Sequence, residues 1–355
     1  MKILIIGAGP TGLSAALELA HHGTIPDLVE RRTEPSQLSR AVGIMPITLA
    51  RLAPYGVSEA ILNEAMSIKK VSLNRGAKNL MHLDFEKTAP GQDIMHGLPQ
   101  NRTEELLHDS LVKYGGKVQY GCAVTDIETD ETSATVTFCD GRQARYDWVI
   151  AADGIGSVAR QKLGIAYPGF DLPGKWSIAD VDLGGDYDPD RFAAWIQGHK
   201  SGAFSFVIPI EQNRARIASS TPDALAALPV DLDIKTVRRT GTFEISVRQA
   251  ETYKQGRVLL AGDAAHCHSP VGGRGMNLGI GDGIAAARAI LDGTTDTYSA
   301  QRHEIGADVM RKSEMGRKIV SSNNPLTKAL TWCVLKAVHH VPPLQRVFLK
   351  ALTRF

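Results

Sequence analysis

Cysteine is scarce in this chain of 355 residues: Cys122, Cys139, Cys267 and Cys333 stand singly, and no Cys-x-x-Cys pair occurs. That scatter argues against a disulfide framework and against a thiolate zinc site, so no metal centre is expected and a reducing, cytoplasmic setting fits. An excess of charge is lacking too. Lys plus Arg number 40 against 38 Asp plus Glu, a formal net charge of +2, which gives no reason to propose nucleic acid as a partner. Long apolar runs are missing. The strongest, Ala329–Val341, is short and interrupted by Lys336, His339 and His340, so no transmembrane segment is expected. The chain shows no internal repeat, no low-complexity tract and no cleavage signal ahead of Met1–Ile6, which already reads as a strand. What is present, 43% hydrophobic and 22% charged residues, is ordinary globular composition with enough length for one large domain or two interlocked ones.

The order of local patterns points to an α/β fold. Ile3–Ile6, the Gly7–Gly12 turn, Leu13–His21 and Asp27–Glu30 read as strand, tight turn, helix and strand, the signature of a buried parallel βαβ unit. Thr103–Tyr114 has helical periodicity, Ala134–Phe138 alternates as a half-buried strand before an Asp140-Gly141 turn, and Trp148–Ala152 is a second short buried strand. From Trp176 to Thr242, strand-like pieces such as Phe204–Ile210 and Ala215–Ser219 sit between Gly-, Pro- and Asp-rich turns, which predicts an inserted, mostly antiparallel sheet. Val258–Ala261 returns to the short apolar type, followed by a glycine-rich loop and a helix through Leu291. The tail from Ser299 is mostly helical, with Pro342-Pro343 breaking it.

Gly7-Ala8-Gly9-Pro10-Thr11-Gly12 is a G-x-G-x-x-G turn between a strand and a helix. Its glycines allow a tight turn and close approach of the backbone to a pyrophosphate, while the helix start turns free N–H groups toward that anion. Glu30 ends the second strand, where an acid would grip the ribose hydroxyls of an unphosphorylated adenosine; Arg31 would lie along the adenosine or face solvent. This fingerprint alone does not separate NAD from FAD. The decision rests on Arg257–His266, in which a strand delivers Asp263 at its carboxyl end, and on Pro270-Val271-Gly272-Gly273-Arg274-Gly275-Met276-Asn277, which opens a helix.

That pairing resembles the flavin-side motif of the p-hydroxybenzoate hydroxylase-like, class A flavoprotein monooxygenases. The resemblance implies that Asp263 holds the ribityl chain of FAD. It also implies that Pro270, Gly273, Gly275, Met276 and Asn277 face the isoalloxazine, where a helix amino terminus stabilises the charge that reduction places near N1. Asp147–Gly154 with Arg160 resembles the same family's middle Asp-Gly motif, which implicates Asp153 and Gly154 in FAD and nicotinamide use. Ser39-Arg40-Ala41 resembles the segment whose arginine contacts the flavin side, Pro99-Gln100 the helix start whose Gln reaches FAD, and Val124 a strand position that bonds adenine. The resemblance runs in family order from residue 3 to about residue 302.

The resemblance implies a Rossmann-like FAD domain built from 1–70, 98–170 and 245–300, a substrate domain from 71–97 and 171–244, and a C-terminal helical segment over 301–355. NADPH or NADH would reduce FAD as a transient partner, and a flavin C4a-hydroperoxide would pass one oxygen atom from O2 to a small aromatic substrate. Only one strand–G-x-G-x-x-G–helix unit exists, so the nicotinamide would bind without a dinucleotide fold of its own. Family branches often carry a further thioredoxin-like domain, for which this chain is expected to be too short.

Other residues have plainer readings. His266 and His268 invite general-base chemistry, although positioning is the better reading for His266, and Cys267 reads as a small packed residue. Trp176, Trp195, Phe204 and Phe206 read as sheet core ahead of an aromatic pocket. His199 with Lys200 reads as a solvated turn. The basic tail, with Lys328, Lys336, Arg346, Lys350 and Arg354 amid apolar residues, could touch a membrane, but packing across the two domains explains it better. Arg274, where the family often has Gln, would alter charge near the flavin or contact solvent. No acid/base pair can be named. A dehydrogenase or reductase of the same fold and a non-catalytic FAD-binding protein remain alternatives; a halogenase is disfavoured by the lack of a Trp-x-Trp-x-Ile-Pro segment. Oligomeric state is open.

Overall fold

A computed structural model describes residues 1–36, 39–88, 91, 93–185, 187–196 and 203–353. His199, Lys200 and Arg354 lie outside the described residues. The strand Ile3–Ile6, buried along its whole length, sits inside a six-stranded sheet. Trp148–Ala151 and then Val258–Leu260 run parallel to it on one side, Asp27–Val29 and Val118–Gln119 on the other, and Lys254–Gln255 closes one edge antiparallel. Strands covered on both faces have no polar side to show, hence the unbroken apolar runs Ile-Leu-Ile-Ile and Trp-Val-Ile-Ala.

The helix Pro10–His21 packs against the helices Gln100–Lys113 and Gly275–Leu291. It begins three residues earlier than the apolar pattern suggests, because proline is accommodated in the first helical turn, where its missing N–H costs nothing. Its crossing with Gly275–Leu291 is too close for side chains: a methyl group placed on Gly283 would sit 2.2 Å from the Thr11 carbonyl oxygen. The small residues of this helix therefore report close packing. A three-stranded antiparallel meander, Val124–Thr129, Ala134–Phe138 and Gln143–Tyr146, turns at Gly141, whose φ of +81° suits the hairpin.

The second large sheet has seven strands, in the order Ile234–Phe243, Trp176–Leu183, Arg214–Ser219, Ser205–Glu211, Arg191–Trp195, Lys70–Arg75 and Lys78–Asp84. All neighbours are antiparallel except Arg191–Trp195 beside Lys70–Arg75. Alternation along its strands feeds two cores: Val207 and Ile217 lie in one, Ile208 and Ile210 in the other. The tail forms helices Thr295–Val320, Pro325–His340 and Pro342–Thr353. Pro342 and Pro343 open the last helix, so the break they impose is also a helix start. Among the described residues no helix is long and apolar enough to cross a membrane.

Candidate active site

The glycine turn links the strand Ile3–Ile6 to the helix Pro10–His21 and sits against the ends of both neighbouring strands. Gly7 has φ +102°, its N–H donates to the Val29 carbonyl at 2.8 Å, and a methyl group there would collide with the Ala152 carbonyl oxygen at 2.4 Å. Gly9 differs: nothing lies within 4 Å of the position its side chain would take. Gly9 also caps the helix Pro10–His21 with no side-chain hydrogen bond, so the space above the turn is open and faced by a helix amino terminus. Glu30 accepts from the Ala8 N–H at 2.9 Å and from Arg32 N and Nε at 3.0 Å each. Burial would raise its pKa, yet these hydrogen bonds outweigh it and hold the carboxyl below the ordinary range. Arg32 thus makes the ion pair, while Arg31 is exposed.

Asp263 lies at the carboxyl end of Val258–Leu260, in a short turn over Gly262–Ala264. Its side chain is open to solvent and accepts no hydrogen bond from the described residues, while the protein around it pushes its pKa upward by desolvation, partly offset by His266 and Arg40. Thr11 is wedged against this turn: methyl groups on Gly262 or Gly279 would each come within 2.5 Å of its Oγ1. Arg160 donates to the Ala264 carbonyl at 2.8 Å and to the Ile155 carbonyl at 2.7 Å, and its guanidinium lies 3.7 Å from the Tyr167 ring centroid. The Tyr167 hydroxyl donates to the Asp263 carbonyl at 3.0 Å. Asp153 accepts from the Ala159 N–H at 3.2 Å through Oδ2, and its Oδ1 is buried without a partner. Gly154 follows it with φ +80°.

The loop after Asp263 is a tight turn, with Gly273 N donating to the Pro270 carbonyl at 2.9 Å, and the helix Gly275–Leu291 follows without a side-chain cap. Met276 is half-buried. Asn277 is buried and fully bonded: Oδ1 accepts from Met45 N at 2.9 Å and Thr48 Oγ1 at 2.8 Å, while Nδ2 donates to the Gly43 and Gly273 carbonyls at 2.9 Å each. Its side chain is a staple that fixes the loop. Arg274 is only 8% exposed, which removes the reading that it merely contacts solvent.

His266 and His268 have different settings. His266 Nε2 meets Asp282 Oδ2, and the other oxygen of Asp282 accepts from Arg302 Nε at 2.6 Å. Burial opposes ionisation of Asp282, but His266 and Arg302 overcome it and keep the carboxyl low. His266 thereby ties the Asp263 turn to two helices, a positioning role. His268 Nδ1 lies 2.8 Å from the Ser269 carbonyl, which can only accept, so Nδ1 carries the proton and Nε2 offers a lone pair. Desolvation pushes the His268 pKa down to about 4, and Nε2 is buried without a partner, 3.9 Å from where a Gly275 side chain would begin.

Ser39–Ala41 is held from the start of the helix Gln100–Lys113 and from the seven-stranded sheet. Gln100 N donates to Ser39 Oγ at 2.9 Å, and Ala41 N donates to Gln100 Oε1 at 3.2 Å. From the seven-stranded sheet, buried Arg216 forms a bidentate pair with Asp180, 2.6 and 2.7 Å, and donates to the Ser39 carbonyl at 2.7 Å. Arg40 itself is exposed. Val124 is buried at the start of its strand, opposite Phe138. The structure therefore sets the glycine turn against the Asp263 turn through Thr11, with the Arg40 charge acting on the Asp263 carboxyl, whereas the Gln100 amide and Asn277 side chain are spent on protein contacts. Asp282, Arg302, Arg216 and Asp180 escaped sequence reasoning; a lone acid in the otherwise small and apolar Gly279–Ala287 run was the available signal for Asp282. Trp176, Trp195 and Phe204 are buried in sheet cores. A cavity of about 660 Å³ lies over Trp195, Tyr187 and His82 on the seven-stranded sheet, away from the Asp263 turn.

These features suit FAD: open space lies above Gly9, and the turn carrying the unclaimed Asp263 carboxylate abuts the same glycine turn at Thr11. Comparison with known proteins agrees. Residues 1–313 match the FAD binding domain family. A rifampicin monooxygenase of Streptomyces venezuelae is 30% identical, over 90% of this chain and 72% of its own length. The 12-dehydrotetracycline 5-monooxygenase/anhydrotetracycline 6-monooxygenase of Streptomyces rimosus is 32% identical, over 97% of this chain and 74% of its own. Among solved structures, p-nitrophenol 4-monooxygenase PnpA of Pseudomonas putida DLL-E4 superposes with a TM-score of 0.85 at 22% identity, covering 99% of this chain and 96% of that one. OxyS anhydrotetracycline hydroxylase of Streptomyces rimosus superposes with a TM-score of 0.77 at 30% identity, covering 99% and 75%. This chain belongs to the class A FAD-dependent aromatic monooxygenases, which use NAD(P)H as reductant.

Proposed function

We propose that this monooxygenase hydroxylates a multi-ring phenolic aromatic, and that the cleft between the Gly7–Gly12 turn and the Gly273–Asn277 loop holds its FAD. The substrate class follows from relatives named for rifampicin, anhydrotetracycline and tetracenomycin. One observation carries the cofactor placement: Asp263 is a carboxylate set in a cleft with no protein hydrogen bond, beside a glycine turn with open space above it. In this reading a flavin domain comprises 1–70, 98–170 and 245–300, a substrate domain 71–97 and 171–244, and a helical segment 301–355.

When bound, FAD supplies hydride acceptance from NAD(P)H and delivery of one oxygen atom to the ring. The chain's own residues do the rest. Glu30 turns its remaining lone-pair capacity to the ribose while bracing Ala8, and the amino terminus of Pro10–His21 faces the pyrophosphate. Gly154, Arg40, Gln100 and Val124 border the cofactor's length, and Asp263 accepts from the ribityl hydroxyls. Arg274, buried at the cap of the flavin-facing helix, adds positive potential there. His268 keeps its proton on Nδ1 and accepts a substrate hydroxyl at Nε2, which orients the ring. The substrate lies between this loop and the seven-stranded sheet, a site supported by Val271, which packs against the cluster containing Trp176 and Phe204.

The test is stopped-flow flavin reduction by NADH and NADPH across a panel of single-ring phenols, quinolones and fused-ring polyketides. Expected is fast, substrate-stimulated reduction with the fused-ring members. Stimulation confined to single-ring phenols would remove the substrate reading, and failure of the chain to retain FAD would remove the cofactor placement.

A further inference from the structure

Glu314 is the last acidic residue of the chain. After it come seven Lys or Arg, from Arg317 to Arg354, and no Asp or Glu. Lys318, Lys336 and Arg346 are exposed and make no ion pair among the described residues. The same segment exposes an apolar face. The helix Pro325–His340 buries Leu335 and Val338 and packs on the strand Lys78–Asp84, yet its outer side is apolar as well. Leu326 is 80% exposed, Leu330 67% and Val334 52%. Ala329, Cys333 and Ala337 are exposed between them, so a continuous arc at helical spacing faces outward. Val341, Leu344 and Val347 extend it onto the last helix, and Met315 and Ile319 flank it across a groove that also takes in Lys318 and Thr327. Scattered apolar residues on a surface need no explanation, but an arc of this extent does.

We propose that this face docks the protein on an anionic lipid bilayer surface, with Leu326, Leu330 and Val334 entering the headgroup boundary and Lys318, Lys336 and Arg346 meeting lipid phosphates. Apolar burial and cationic contacts act together on such a surface, and neither suffices alone. The charge favours this occupant over a second copy of the chain. A two-fold contact through this face would set uncompensated cations against the same cations. The helix lies on the protein body through Leu335 and Val338, so binding is peripheral, with no segment crossing the bilayer.

The FAD-loaded full chain is floated on a density gradient with phosphatidylcholine vesicles, and with vesicles containing about a third phosphatidylglycerol. Expected is flotation with the anionic vesicles only, reversed by about 0.5 M salt. The double variant Leu326→Asp, Leu330→Asp should lose flotation, and Lys336→Glu with Arg346→Glu should weaken it about tenfold or more. Both variants should keep FAD content and NAD(P)H oxidation in vesicle-free buffer, which separates docking from folding. Leu330→Trp should shift its emission to the blue with anionic vesicles alone. No flotation with either vesicle, equal flotation with both, or unimpaired flotation of the double Leu variant would each overturn the proposal. So would a dimer that the double Leu variant dissociates without any lipid dependence.

Discussion

Arg160 and Ala264 are joined by a 2.8 Å hydrogen bond from Nη1 to the carbonyl oxygen, which locks the Asp153-Gly154 segment onto the Asp263 turn across 104 residues of sequence. Nη2 holds the Ile155 carbonyl at 2.7 Å, and the guanidinium plane stacks on Tyr167. One side chain therefore sets the spacing of two loops that border the proposed FAD site.

Arg160→Lys keeps the charge but loses the fork and the stacking, leaving a buried carbonyl poorly paired. The FAD dissociation constant should rise about tenfold, as loss of one such hydrogen bond implies. Recovery of flavin fluorescence in the filtrate on ultrafiltration reads this directly. An unchanged constant would mean that the two loops hold their spacing without Arg160.

In the proposed placement Asp263 is the acceptor for the ribityl hydroxyls, and Asp263→Ala removes it without disturbing any side-chain hydrogen bond among the described residues. It should cost about 1–3 kcal/mol of FAD affinity while leaving the thermal stability of the apoprotein intact. Calorimetric titration of apoprotein with FAD checks it. Equal affinity in variant and wild type would take Asp263 out of the cofactor site.

Much of this site was legible because it is local. Gly7, Gly9 and Gly12 follow Ile3–Ile6 directly, and Asp263 follows Val258–Leu260 at once, so strand, turn and ligand type share one short stretch of chain. The start of the first helix was read late, at Leu13, because apolar periodicity cannot see Pro10 and Thr11. The supports were not legible. Arg216 reaches Ser39 from another sheet, and Asp282 meets His266 and Arg302 only when two helices pack together. An arginine in a strand or an aspartate in a helix has no sequence period that names its partner. The double-faced apolar character of Pro325–His340 was visible as composition, but which side faces outward required the fold.

Glu104 gives a pH signature. Burial pushes its pKa up to about 7, only partly relieved by the Gln100 hydrogen bond and by Arg32. The unfolded chain gives up this proton more readily than the folded one. The contribution is therefore fully present below the ordinary glutamate range and is lost as pH rises through 7. Glu104→Gln retains an acceptor for Gln100 and removes the loss. Its Tm should match wild type near pH 4 and exceed it by about 2–5 °C near pH 8.5, measured by thermal denaturation. A variant less stable than wild type at pH 8.5 would contradict this.

Nicotinamide binding should be weak. The sequence has one G-x-G-x-x-G turn between strand and helix, at Gly7–Gly12; in the proposed placement it serves the FAD adenosine, and NAD(P)H binds near Asp153-Gly154 and Arg40 with little buried area. The dissociation constant should fall in the upper micromolar range, about −5 to −6 kcal/mol, with flavin reduction much faster when substrate is present. Titration of NAD(P)H by flavin quenching, with and without substrate, reads both. Stoichiometric nanomolar binding would contradict it.

Aromatic monooxygenation itself is tested most directly by isotope. The FAD-loaded enzyme, NAD(P)H and a fused-ring phenol found to stimulate reduction are turned over under oxygen-18 gas, and the product is weighed by mass spectrometry. Expected is one labelled oxygen atom per hydroxylated product, with one NAD(P)H consumed for each. Oxidised product formed without label and without NAD(P)H loss would show a dehydrogenase instead, and reduced product formed at the rate of NAD(P)H loss would show a reductase.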